Sequence, residues 1–260
     1  MSATRADKLL ADRQLAASRT QAQRLINEGK VRYQVKESQQ PDHWTTVAKA
    51  SDRIPDDATL DVQFDANDRF VSRGGVKLAH ALASQSIDLT NRIALDVGQS
   101  TGGFTDCLLQ SGCCKVVGVD VGHDQLDTRL RSDARVVCLE GINARDLDTA
   151  SLLALSDGAG FDIIVMDVSF ISQTKILPGL KPLLQPQGSL VTLVKPQFEL
   201  SRAQLGKGGI VRDTALFAEV KDAVVSCVAQ SGFVVTAWLD SPISGGDGNQ
   251  EFLLVARHAF

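Results

Sequence analysis

The chain has no run of about 18 consecutive apolar residues, the length a membrane-spanning helix needs, so a spanning helix is excluded. It also lacks an amphipathic stretch with a strongly basic polar face, which argues against a membrane-active cytolysin. Met1 to Lys8 contain no apolar core, so export through a signal peptide is not expected. The five cysteines include no C-x-x-C pair, and the adjacent Cys113 and Cys114 do not match zinc-ligand spacing. With Cys107, Cys138 and Cys227 they lie within or after apolar stretches, as buried thiols do, which fits a reducing, cytoplasmic setting. His43, His80, His123 and His258 are scattered, and no metal site is expected. Aromatic residues make up only 5% of the chain, and Tyr33 and Trp44 read as packing residues rather than base-stacking platforms. Internal repeats and low-complexity tracts are absent. The net charge of −4, from 27 Lys and Arg against 31 Asp and Glu, is not that of a generic nucleic-acid coat.

At 43% hydrophobic and 22% charged, the 260 residues have the composition of a globular protein with ample core. The charge is unevenly spread. Residues 1–36 carry eight Lys and Arg against three acids, residues 37–70 carry three against eight, and the remaining 190 carry sixteen against twenty. The basic opening predicts two helices, over Ala6–Ala16 and about Arg19–Glu28, with Ser18 as N-cap and Gly29 as the stop of the second. Strands follow at Val31–Val35 and Leu60–Phe64. A module over residues 1–64, a connector over 65–72 and a larger domain over 73–260 are expected.

From Arg92 onward the rhythm is strand, loop, helix. Strands are predicted at Arg92–Val97, Lys115–Val119, Arg135–Leu139, Asp162–Met166 and Ser189–Val194, with helices at Phe104–Gln110, Asp124–Leu130 and Ile176–Leu184. This is the pattern of an α/β fold with a parallel sheet. The last runs, Phe233–Leu239 and Phe252–Ala256, are joined by a connection too short for a helix, so that pair is antiparallel.

The first strand of the larger domain runs into a loop rich in glycine, from Asp96 through Gly98, Ser100, Gly102 and Gly103 to Phe104. A strand–glycine loop–helix junction lets a ligand approach the backbone and a helix N-terminus. The loop does not follow G-x-G-x-x-G. A carboxylate at Asp96 repels a pyrophosphate but suits a cationic sulfonium and ammonium. Asp120 ends the next strand, where it can accept hydrogen bonds from ribose hydroxyls. Together these favour S-adenosylmethionine over a nicotinamide dinucleotide, although the glycines alone are also consistent with a tight turn.

The string Phe70-Val71-Ser72-Arg73-Gly74-Gly75-Val76-Lys77-Leu78 and the loop Asp96–Asp106 resemble the hemolysin-A (TlyA) family. Further matching strings are Asp167-Val168-Ser169-Phe170-Ile171-Ser172, Leu193-Val194-Lys195-Pro196-Gln197-Phe198-Glu199 and Gly248-Asn249-Gln250-Glu251-Phe252. The resemblance covers nearly the whole chain. It implies a small S-four-type RNA-binding module of α+β character fused to an FtsJ-like RNA 2′-O-ribose methyltransferase. The fold implied is a Rossmann-like class I methyltransferase sheet, parallel with a C-terminal antiparallel hairpin. Gln99 stands where that family's loop has a small residue and is expected to face the cofactor. Asn143 stands in for a clear acidic adenine ligand.

The same resemblance carries a Lys-Asp-Lys-Glu constellation onto Lys77, Asp167, Lys195 and Glu251. Asp167 would also touch the cofactor. A free lysine, with a pKa of about 10.4, is mostly protonated at neutral pH, but desolvation and a second lysine nearby lower it. Lys195 is therefore expected to act as general base or to orient the ribose hydroxyl, with Lys77 tuning it, Asp167 orienting it and Glu251 fixing the network. Taken singly, each of the four is also consistent with an ordinary structural charge. RNA contacts are expected from Arg5, Lys8, Arg13, Arg19, Arg24 and Lys30 on the module's helices. Arg73, Lys207 and a mobile loop Gly206–Gly209 would extend that surface. The leading reading is methylation of structured, ribosomal RNA. The alternatives are a non-catalytic RNA-binding or ribosome-assembly protein and, as the family's name suggests, a hemolysin.

Overall fold

A computed structural model of the chain describes residues 2–16, 18–35, 43–65 and 68–258. Most of the polar loop after Val35, together with Ala66 and Asn67 of the expected connector, lies outside the described residues.

The N-terminal residues form β1 (Ala3–Arg5), α1 (Ala6–Asp12), α2 (Arg19–Asn27), β2 (Val31–Gln34), β3 (Thr45–Thr46), β4 (Arg53–Pro55) and β5 (Thr59–Val62). Strands β1 and β4 pair, and β2 lies between β3 and β5 in a second small sheet. The Ser18 hydroxyl accepts from the Gln21 amide at 3.2 Å and caps α2. Gly29, at φ +70°, ends it in the left-handed conformation that a side chain disfavours. Helix α1 stops at Asp12 rather than at Ala16, because Gln14 adopts φ +58° and turns the chain back so that Leu15 donates to the Leu10 carbonyl. Leu10, Ala22, Leu25, Ile26, Val31 and Ile54 make one local core.

Beyond the connector, α3 (Gly74–Ser84) precedes β6 (Ile93–Val97), α4 (Gly103–Gln110), β7 (Lys115–Asp120), α5 (Thr128–Arg131), β8 (Val136–Glu140), α6 (Thr149–Ala154), β9 (Phe161–Met166) and β10 (Leu184–Val194). The chain closes with α7 (Pro196–Glu199), α8 (Leu216–Gln230), β11 (Phe233–Asp240) and β12 (Phe252–His258). Seven strands form one sheet in the order β11-β12-β10-β9-β6-β7-β8. The pairs among β6 to β10 are parallel, and β12 is antiparallel to both β10 and β11. The expected hairpin is therefore present, with its second strand inserted beside β10. Side chains such as Leu95, Ile164 and Leu190 pack on one face of the sheet, and Ala94, Ile163 and Val191 on the other, so both faces are covered.

Two predicted helices change form. Ile176–Leu184 becomes two single 3-10 turns, Leu177–Gly179 and Lys181–Leu183, because Pro178 and Pro182 remove amide donors from each turn. Asp124–Leu130 shrinks to α5, because Asp124 takes φ +55° and Asp127 caps the helix by accepting from the Arg129 amide at 3.0 Å. Strands β6, β7, β9 and β10 all end at the same edge of the sheet. The loops that follow them gather there, where open α/β sheets bind ligands.

Candidate active site

The glycine loop leaves β6 with the Gly98 and Gln99 amides both donating to the Val119 carbonyl, at 2.9 and 3.2 Å. Gly98 adopts φ +85°, and a Cβ there would lie 2.5 Å from the Asp167 carbonyl oxygen, so the bare backbone is what lets β6 and the β9 loop meet. Ser100, at φ +47°, turns its amide onto Asp120 Oδ2 at 2.7 Å, while the Gly122 amide reaches Asp120 Oδ1, also at 2.7 Å. Asp120 is thus oriented by two backbone donors and keeps further lone pairs for a ligand.

Four residues expected at the cofactor lie behind the cleft wall instead. Asp96 is wholly buried and accepts from the Thr105 hydroxyl at 2.7 Å. Burial, reinforced by the charges of Asp167 and Asp120, pushes its carboxyl up to about 7 against the opposing Thr105 hydrogen bond. Gly102 leaves room for Leu130 and Leu126, Gly103 for the Ser72 hydroxyl, and Phe104 packs beside Gly74. Gln99 is also turned inward: it is 3% exposed and donates from Nε2 to Thr105 Oγ1 at 2.9 Å, so it does not face the cofactor region.

In front of that wall is a cleft of about 450 Å³, lined by Gly98, Ser100, Asp120, Val121, Gln125, Asn143, Asp167 and Phe170 among others. Asn143 is exposed there and accepts from the Arg145 amide at 3.1 Å. The cleft has the volume of a small-ligand site, a carboxylate presented for ribose hydroxyls and, among the described residues, no lysine or arginine lining it. This lining suits a cationic, ribose-bearing ligand such as S-adenosylmethionine and places no positive charge against a pyrophosphate.

A second cavity of about 300 Å³ adjoins it, lined by Lys195, Gln197, Phe198, Leu205, Gly246, Asp247 and Glu251. Ser169 and Phe170 line both. Lys195 Nζ lies 2.6 Å from Asp167 Oδ1 and donates to Ser169 Oγ at 2.9 Å. Lys77, on α3, is buried and forms an ion pair with the equally buried Glu251. The two lysines are therefore held on separate carboxylates. Ser169 and Phe170 were not singled out from the sequence, although they stand in the string that follows Asp167. Phe170 is 92% exposed at φ +65°, and its ring centroid lies 5.2 Å from that of Phe198.

The Gly206–Gly209 loop, expected to be mobile, is tied down. Asn249, 2% exposed, donates to the Gly209 carbonyl at 3.1 Å and accepts from the Val211 amide at 2.9 Å. Arg73 donates to the Ser244 carbonyl in the neighbouring loop. Lys207 remains exposed.

The predicted RNA-contacting residues divide into two groups. Lys8 is exposed, and Arg5 and Arg19 are about half exposed while sharing the buried Asp7 carboxylate. Arg5 and Arg19, with Gln23, hold Asp7 well below the usual carboxylate range. Arg24 and Lys30 instead turn inward, each 17% exposed, and both bind Asp68, at 2.7 and 2.8 Å. Arg13 donates to the carbonyls of Ala58 and Asp56. Arg24 and Lys30 are structural cations of the module, because the buried Asp68 carboxylate requires donors, whereas Arg13 is itself exposed.

Two thiols, Cys107 and Cys113, are buried and pushed up to about 12 by desolvation, whereas Cys114 is exposed, against expectation. Among the described residues no group of three or more His, Cys, Asp or Glu is placed to hold a metal, and no helix is long and apolar enough to cross a membrane.

Residues 70–258 match the FtsJ-like methyltransferase family, and residues 4–36 match the S4 domain. The chain is 40% identical, over 97% of its length and 89% of the relative's, to the 16S/23S rRNA (cytidine-2′-O)-methyltransferase TlyA of Mycobacterium tuberculosis. It is 42% identical, over 96% of its length and 84% of the relative's, to the candidate rRNA methyltransferase YqxC of Bacillus subtilis. A solved Streptococcus thermophilus protein described as a candidate hemolysin superposes with a TM-score of 0.75 at 37% identity, covering 100% of this chain and 90% of that one.

Proposed function

The chain belongs to the hemolysin-A (TlyA) family of FtsJ-like methyltransferases with an S4 domain, and from that premise we propose that it methylates ribose 2′-hydroxyls of ribosomal RNA, with S-adenosylmethionine as donor. The observation that carries this reading is the Lys195–Asp167 ion pair, one member lining each of two adjoining cavities. In this reading Asp120, Ser100, Gly98 and Asn143 hold the donor in the larger cleft, and the smaller cavity takes the target nucleotide. S-adenosylmethionine supplies an electrophilic methyl group on a positively charged sulfur.

A ribose hydroxyl is a weak nucleophile, so the site's contribution is to place it and to receive its proton. An ammonium has three donors. Those of Lys195 that face Asp167 and Ser169 leave one to fix the incoming ribose oxygen. The adjacent Asp167 carboxylate offers an acceptor for the hydroxyl proton. Lys77 and Glu251, closed on each other and buried, brace α3 against the start of β12, and Glu251 lines the smaller cavity.

Residues 1–64 would grip RNA through Arg5, Lys8 and Arg19, residues 65–72 would connect, and residues 73–260 would carry the chemistry, in the cytoplasm where ribosomal RNA resides. Transfer of labelled methyl groups from S-adenosylmethionine to ribosomal RNA, with the product phosphodiester resisting alkaline cleavage, tests the reading. A 2′-O-methyl group blocks that cleavage, whereas a base methyl does not. RNA binding with no transfer would instead identify a non-catalytic RNA-binding protein.

A further inference from the structure

Gln99 is the one position in the glycine loop where this sequence departs from the small residue its family resemblance implies, and its side chain enters the protein rather than the cleft. Its carboxamide lies directly over Gly118 of β7: a Cβ at 118 would fall 2.0 Å from Gln99 Cδ. Gly118 pairs in register with Asp96 of β6, so the amide sits beside the Asp96 carboxylate on the sheet. From there Gln99 Nε2 donates to Thr105 Oγ1 at 2.9 Å, and the Thr105 hydroxyl donates to Asp96 Oδ2 at 2.7 Å. All three residues are buried, with Asp96 and Thr105 at 0% exposure.

A leucine or methionine would fill this volume without burying a polar group. Instead the amide leaves Gln99 Oε1 buried with no hydrogen-bond partner among the described residues, and Asp96 Oδ1 likewise. A side chain that carries an unsatisfied acceptor into the interior is a poor filler, which points to its donor as the group that matters. The main chain of the same residue closes the loop, since the Gly102 amide donates to the Gln99 carbonyl at 2.8 Å. The side chain therefore ties the loop's turn to the first turn of α4 and to β6.

We infer that Gln99 is a positioning residue for the methyl-donor cleft: its amide, seated against bare Gly118, holds Thr105 and through it Asp96, and so sets the course of the loop Gly98–Gly103. This rests on the reading of that cleft as the S-adenosylmethionine site. A loop held this way presents Gly98 and Ser100 to the ligand already ordered, and binding then bears less of the cost of ordering them.

The test is the dissociation constant of the full-length protein for S-adenosylmethionine, measured by calorimetry, with RNA affinity measured in parallel by gel shift. Gln99→Met preserves the volume over Gly118 and removes the donor, and Thr105→Val does the same one link further on. Each is expected to weaken donor binding at least fivefold while RNA affinity stays within twofold. The double variant is expected to be no weaker than the weaker single, because both cut one chain. A simple space-filling role would leave Gln99→Met unaffected. Single variants within twofold of the wild type, or losses that multiply in the double variant, overturn the inference. If Gln99→Met does not fold, Thr105→Val alone decides by the same criterion. A wild-type protein that does not bind S-adenosylmethionine overturns the assignment of the cleft, and this inference with it.

Discussion

Lys195 Nζ and Asp167 Oδ1 stand 2.6 Å apart where two cavities meet, Asp167 on the wall of the larger and Lys195 on the wall of the smaller. Asp167 follows β9 and Lys195 follows β10, and these strands are parallel neighbours, so the pair is a direct consequence of strand order. At 13% and 23% side-chain exposure the pair is largely withdrawn from water, so it contributes to stability as well as to orientation. Lys195→Met is therefore expected to lower folding stability modestly, by about 1–3 kcal/mol, while the protein still folds and keeps its affinity for S-adenosylmethionine. Its methyl transfer to ribosomal RNA should fall about 100- to 10,000-fold. Lys195→Arg is not expected to rescue it, since a planar fork cannot reproduce a compact three-donor ammonium. Equal transfer rates for wild type and Lys195→Met would contradict the assignment.

The Lys77–Glu251 pair behaves differently because both members are nearly removed from water, at 9% and 3% side-chain exposure. Removing one partner strands the other charge in the interior, at a cost of about 3–5 kcal/mol. Glu251→Leu and Lys77→Met should each lower the urea midpoint strongly, while the double variant should recover much of the loss. That recovery, measured in a double-mutant cycle, separates a bracing pair from two independent contacts. Additive losses would show that the two residues do not act together.

How legible this was in the sequence depended on the range of the interaction. The five parallel strands could be read because their short β-branched runs alternate with helical stretches, and the Ser18 cap and the Gly29 stop are local signals. The insertion of β12 between β10 and β11 carries no such local signal, since it depends on the pairing of β12 with β10, a strand distant in sequence. Asp167 and Lys195 also stand directly after the fourth and fifth predicted strands, whereas the roles of Lys77 and Glu251 could be located only through the family strings. Their pairing was hidden because Lys77 and Glu251 are 174 residues apart in sequence. The count of basic residues in the first helices was also a poor guide to an RNA surface. Arg24 and Lys30 are drawn to Asp68, an acid counted with the connector whose side chain is wholly buried.

That division of the cations has a consequence for RNA binding. Lys8 and Arg19 keep their heads accessible, so neutralising either should reduce the slope of log K against log salt by about 1 and weaken binding across RNA sequences. Arg24→Ala and Lys30→Ala should leave that slope in place. They should instead lower stability by about 1–3 kcal/mol, because the buried Asp68 carboxylate loses a donor. Salt-dependent gel shifts alongside urea unfolding distinguish the two groups. An Arg24→Ala protein of normal stability with a reduced salt slope would return Arg24 to the RNA surface.

Asp96 gives the folded protein a pH dependence of definite sign. Its carboxyl is raised to about 7 from an ordinary value of 3.8, mainly by burial. Between those values the folded chain holds a proton that the unfolded chain has released, so unfolding releases protons. Stability from this group therefore falls as pH rises from about 4 to 7 and levels off above that. Asp96→Asn keeps an acceptor for the Thr105 hydroxyl, supplies a donor of its own and does not titrate. Relative to the wild type, it should gain stability with rising pH, up to on the order of 4 kcal/mol by pH 8, and show little gain near pH 4. Taking the difference between the two proteins at each pH removes the titration of every other group. Urea unfolding at pH 4, 6 and 8 measures that difference, and one that stays constant across the range would show that Asp96 is ionised throughout.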